Sequence, residues 1–82
     1  MSKDEICEKV KEILANYYDL DPNIVNMEIN IEDTYYPSSA TTQYVNKVLG
    51  AFPWVDDTEF RNMTWDDLKT GKKVCDYVFE EQ

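Results

Sequence analysis

Three stretches of this sequence repeat their apolar residues at helical spacing, and only one short stretch alternates as a strand would. In the first, Ile6, Val10, Ile13, Leu14 and Tyr17 fall on one face of a 3.6-residue period. Ser2 and Glu5 precede them in the Ser-x-x-Glu pattern of a capping box, which predicts a helix from about Lys3 to Tyr18. The second stretch follows Pro37 and carries Tyr44, Val45, Val48, Leu49 and Phe52; Gly50 weakens its last turn and Pro53 stops it. In the third, Thr70 is positioned to cap K-K-V-C-D-Y-V-F-E-E, with Val74, Tyr77 and Val78 on the inner face. Met27-Glu28-Ile29-Asn30-Ile31 is the lone alternating run, and a lone strand has no sheet to join. The expected fold class is therefore all-α.

The connections are unequal. Residues 19–37 form a long loop, too apolar for a free linker: Leu20, Ile24, Val25, Met27, Ile29 and Ile31 are expected to pin it onto the helices. Asp21-Pro22, an N-cap residue followed by proline, predicts a single short turn at 22–25. Asp57 and Thr58 are candidates to cap a turn around Glu59–Asn62, and Thr64-Trp65-Asp66-Asp67 predicts a short helix near 65–69. The sum is a small bundle of three main helices plus one or two short ones, with a long loop between helices one and two. Residues 1–82 read as a single domain with no repeats or low-complexity tract.

A chain of 82 residues buries only about 60–65% of the surface its unfolded form exposes, so its core must be small. At 43% apolar it has enough to fold. Seventeen acids against eight bases give a net charge of -9, which disfavours nucleic acid and an anionic membrane surface, both of which call for clustered Lys and Arg. The same charge keeps a small protein soluble and favours basic partners. There is no histidine, hence neither the commonest general base nor the commonest metal ligand. Cys7 and Cys75 lack metal-binding spacing and are expected to be reduced, semi-buried apolar residues. Asp19, Asp21 and Asn23 begin like a calcium loop, but Ile24 stands where its glycine belongs and Asn30 where its bidentate glutamate belongs. No metal is expected. Without a long apolar run, neither a signal peptide nor a transmembrane helix is expected, and a cytoplasmic monomer is the default reading.

The stretch that bears on function is E-D-T-Y-Y-P-S-S-A-T-T-Q-Y-V at 32–45. Ser38 and Ser39 are both ordinary N-cap residues. Either also stands where a helix N-terminus would tolerate an attached anion, since the unpaired N–H groups and the positive end of the dipole converge there.

Taken together, these features resemble the acyl carrier protein family over nearly the whole chain. V-K-E-I-L at 10–14 is similar to that family's first helix, L-D-P-N-I-V at 20–25 to the turn after it, and V-C-D-Y-V at 74–78 to its last helix. Glu32-Asp33 matches a Glu-Asp pair in the family's loop, and counting on without a gap places Ser38 at the modified serine. Counting back from Phe52, which matches a phenylalanine near the end of the family's second helix, also gives Ser38. The resemblance implies a 4′-phosphopantetheine arm on Ser38 (Ser39 being the second choice), attached by a phosphopantetheinyl transferase. An acyl group would ride on the arm's thiol as a thioester. It further implies a protein that is not an enzyme and delivers its cargo to acyl-activating, acyl-transferring or condensing enzymes, as in fatty acid or polyketide biosynthesis.

Some positions depart from the family pattern. Its Asp-Ser-Leu reads Pro37-Ser38-Ser39 here, and Tyr35 and Tyr36 replace a glycine and a small residue. From Ser38 to Phe52 the one charged residue is Lys47, where the family carries acids that dock onto basic partner surfaces. Positions that line an acyl pocket in the family fall on Thr42 and Asn46, both polar. Two functional readings stand: a carrier modified at Ser38 in a specialised lipid or secondary-metabolite pathway, and an unmodified carrier-like module that acts only in protein–protein interaction.

Overall fold

The capping box at the start of the chain forms as its spacing predicts. Ser2 N–H donates to Glu5 Oε1 at 3.0 Å, and Glu5 N–H donates to Ser2 Oγ at 3.2 Å. These two bonds satisfy donors that a helix N-terminus leaves unpaired. They also hold the Glu5 carboxyl below its ordinary pKa, chiefly through the hydrogen bond from the Ser2 backbone. Helix α1 follows, over Lys3–Tyr17. Two residues after its end, Asp19 takes a left-handed φ of 55°, the conformation that commonly closes a helix C-terminus.

The computed structural model describes residues 1–17, 19, 21–28, 41–63 and 70–82, and these are all-α. After α1 comes a single 3₁₀ turn, Pro22–Ile24, capped by Asp21, whose carboxylate accepts from Asn23 N–H at 2.9 Å. Helix α2 covers Thr41–Ala51, α3 covers Asp57–Asn62, and α4 covers Gly71–Glu81. The expected short helix near 65–69 lies outside the described residues, as do Tyr18 and the start of the second helix at 38–40.

The three apolar stripes meet in one continuous core. Ile6, Val10, Leu14 and Ala15 come from α1; Tyr44 and Val48 from α2, with Phe52 directly after its end; Val74, Cys75 and Val78 from α4. Val25, Val55 and Phe60 close it from the connections and from α3. α1 is the organising element, packing against α4, α2 and the 3₁₀ turn, while α3 packs on α2. Burying a side chain such as Leu14 or Phe52 stabilises the fold by about 1.5–3 kcal/mol each.

Three expectations are corrected by the packing. Ile24 does not pin the loop: the tight turn turns it outward, leaving it 65% exposed, and Val25 and Met27 pack inward instead. The cap of α3 is Asp56 rather than Asp57 or Thr58, because the Asp56 carboxylate accepts from Glu59 N–H at 2.8 Å. Cys75 is fully buried rather than semi-buried, since α4 turns it toward α1 along with Val74 and Val78.

Polar bonds fasten the elements at their ends. Lys72 N–H, in the first turn of α4, donates to the Met27 carbonyl at 2.8 Å, tying the loop after the 3₁₀ turn to α4. Beside it, Gly71 leaves room for the Met27 side chain: a Cβ there would stand 2.7 Å from the Met27 sulfur, so that side chain would have to shift. At the other end of α4, Trp54 Nε1–H donates to the Val78 carbonyl at 2.9 Å. That carbonyl belongs to the last turn, where carbonyls lack partners within the helix. The indole thus acts as a C-terminal cap supplied from across the fold, with its ring tilted against Phe52 at 5.5 Å.

Candidate functional site

Ser38 and Ser39 lie outside the described residues, as do Glu32-Asp33, Tyr35, Tyr36 and Pro37. What is described is the helix they lead into. The described part of that helix starts at Thr41, which Ser38 and Ser39 precede closely in sequence. The first described turn holds no acid. A helix N-terminus carries partial positive charge and favours an anion nearby.

The buried face of α2 is fixed by Tyr44, Val48 and Phe52, with Val45 and Leu49 half-buried beside them. Its outer face presents Gln43, Asn46, Lys47 and Gly50, all exposed. Asn46, which the family resemblance aligns with a pocket-lining position, stands on this outer face. Its Oδ1 accepts from Arg61 Nη2–H at 2.6 Å. The same guanidinium pairs through Nε with Asp57, one turn back on α3. In a chain with a net charge of -9, Lys47 and Arg61 therefore make this side of α2 neutral to basic.

The acids gather elsewhere. Tyr77 donates its hydroxyl proton to Glu59 Oε1 at 3.0 Å, while its ring stacks on Phe60 at 5.6 Å. Burial, followed by the Glu59 hydrogen bond, pushes the Tyr77 hydroxyl above its ordinary pKa. Glu81 is likewise raised, first by desolvation and then by the neighbouring Glu59 carboxylate. Among the described residues no group of three or more His, Cys, Asp or Glu is placed to hold a metal ion. Asp21, the centre of the calcium-like stretch, turns its carboxylate to Asn23 N–H in the 3₁₀ turn. No helix among the described residues is long and apolar enough to cross a membrane.

The structure also brings together two residues that spacing leaves unrelated. Cys7 on α1 and Cys75 on α4 pack into the same core, both thiols free. Their proximity depends on how α1 and α4 are set side by side, and no local signal encodes that. Comparison of the chain with protein-family models and with curated proteins gives no match.

Proposed function

We propose that the chain is an acyl carrier protein. Ser38 would hold a 4′-phosphopantetheine arm whose thiol carries an acyl group as a thioester, in a specialised lipid or secondary-metabolite pathway. On this reading it catalyses no reaction itself. A phosphopantetheinyl transferase attaches the arm, and acyl-activating, acyl-transferring or condensing enzymes load and unload it, with the protein acting as a cytoplasmic monomer. The observation that carries the reading is the element order around Ser38. A first helix and a single 3₁₀ turn at Pro22–Ile24 come before it; a second helix, described over Thr41–Ala51, comes after it, with Phe52 buried against the core directly beyond. Ser38 itself is counted from Glu32-Asp33 on one side and Phe52 on the other. Its expected place at a helix N-terminus also supports the reading, because a phosphodiester there would meet unpaired N–H groups. The transferase supplies the chemistry of attachment, so the chain needs no base of its own and its lack of histidine is no obstacle.

A second reading is favoured by the outer face of α2. Gln43, Asn46, Lys47 and Gly50 offer no acid to a basic enzyme surface, and Asn46 is held by Arg61. An unmodified module acting only through protein–protein contacts, with Ser38 or Ser39 as a cap, fits that face. Intact mass after incubation with coenzyme A and phosphopantetheinyl transferases, the native one included, separates the two. The carrier reading expects the gain of one arm, lost in Ser38→Ala and kept in Ser39→Ala. Failure of every transferase to modify the folded protein rules the carrier out and leaves the interaction module.

A further inference from the structure

We propose that Cys7 and Cys75 form a reversible disulfide that ties α1 to α4. The inference stands apart from Ser38 and holds whether or not that serine carries an arm.

The pairing rests first on the register of the two helices, which run antiparallel. At one end the Met1 ammonium donates to Gln82 Oε1 at 2.6 Å, and Gln82 Nε2 donates to the Met1 carbonyl at 2.6 Å. One turn inward, Lys3 Nζ pairs with Asp76 Oδ1 at 2.6 Å and lies 5.9 Å from the centre of the Phe79 ring. At the far end Leu14 lies against the backbone of Gly71. Between these fixed points Cys7, one turn after Lys3, faces Cys75, which adjoins Asp76. A disulfide needs Cα atoms about 4.4–6.8 Å apart, which on two packed helices is met only by positions that face each other. Both side chains enter the same core, Cys75 fully buried and Cys7 half-buried against it. Folding has therefore brought together two cysteines that the unfolded chain holds far apart.

Their environments assign different roles. Cys7 is half-buried and reachable from solvent, whereas Cys75 is fully enclosed. Burial, with the Cys7 thiol as the next cause, pushes the Cys75 thiol above its ordinary pKa, so it is the poorer nucleophile toward anything in solution. The oxidant is a small-molecule disulfide. The Cys7 thiolate attacks one of its sulfurs, forming a mixed disulfide and releasing one thiolate. Cys75 then gives up its proton and attacks the Cys7 sulfur, expelling the second thiolate. Two protein thiols are oxidised, one small disulfide is reduced to two thiols, and the two protons pass to the departing thiolates. The resulting link closes a loop over most of the chain, the case in which a crosslink restricts the unfolded state most.

The test treats the purified full chain with oxidised glutathione, once folded in buffer and once unfolded in urea. The folded protein should become a monomer lighter by two hydrogens, with the Cys7 and Cys75 peptides joined. It should form several-fold faster than in the unfolded chain, and dithiothreitol should reverse it. Its thermal midpoint should rise by about 10 °C. Cys75→Ala should stop at a glutathione adduct on Cys7; if that variant fails to fold, Cys7→Ala, at the less buried position, should remain unmodified under the same conditions. Linkage no faster in the folded than in the unfolded chain overturns the proposal. So does a folded wild-type protein that ends as a glutathione adduct or as a dimer through Cys7.

Discussion

The α1–α4 seam and helix α2 bury the same kind of apolar stripe, yet they are held in place differently. Along the seam, burial is reinforced by polar contacts at successive levels: Met1 with Gln82 and Lys3 with Asp76. α2 relies on Tyr44, Val48 and Phe52, with the Arg61–Asn46 hydrogen bond as its described side-chain tie to α3. Apolar burial is strong but non-directional, whereas paired polar groups fix one register at a smaller net gain. The seam is thus specified in position, and α2 is specified mainly by the volume it fills.

The sharpest way to break this contrast is to remove volume from α2. Phe52→Ala should cost about 3–5 kcal/mol in urea unfolding. For a chain of this size the whole stability is only about 4–12 kcal/mol, so the variant should be close to unfolded at room temperature. A loss under about 1 kcal/mol would show that α2 does not depend on its stripe.

The seam should respond to alkali. Three groups along α4 and its contacts are held protonated more tightly in the fold than in the unfolded chain. Cys75 is raised by burial from its ordinary 9.0, Tyr77 by burial from 10.0, and Lys3 by its hydrogen bond to Asp76 from 10.5. Their contributions are fully present below those ordinary values. Above them the native state binds more protons than the unfolded state, and stability falls as pH rises. The decline begins near 9.0, set by Cys75, with a slope of up to about 1.4 kcal/mol per pH unit. Lys3 is exposed to solvent and adds little, because water and salt screen its pair. Urea midpoints from pH 8 to 11 should show this slope in the wild type and a shallower one from pH 9 to 10 in Cys75→Ala. Equal slopes in the two proteins would remove Cys75 from the account.

The smallest effect concerns the far end of α4. Trp54→Phe keeps most of the ring and deletes the donor to the Val78 carbonyl. A loss of about 1 kcal/mol is expected, with amide exchange rising first in the last turn of α4. An unchanged exchange pattern would mean that water replaces the indole without cost.

Local chemistry made much of this legible in the sequence. Ser2 and Glu5 announced α1, Asp21-Pro22 the 3₁₀ turn, and Thr70 the start of α4, whose cap accepts from Lys73 N–H. Each is a contact within a few residues, so spacing suffices to find it. Adjacent candidates were harder: Asp56 and Asp57 are chemically alike, and only the backbone path selects Asp56 as the cap. Contacts across the fold left no trace in spacing. The Trp54 cap on Val78 and the meeting of Cys7 with Cys75 follow from how helices stack, which no short pattern encodes. The candidate site was read by counting from landmarks at Phe52 and in the loop, and Ser38 itself lies outside the described residues.

The bond from Lys72 N–H to the Met27 carbonyl joins main chain to main chain. Side-chain replacement at either position leaves both groups in place, save a proline at 72, which would delete the donor. The tether that fastens the first loop to α4 is therefore insulated from most sequence drift.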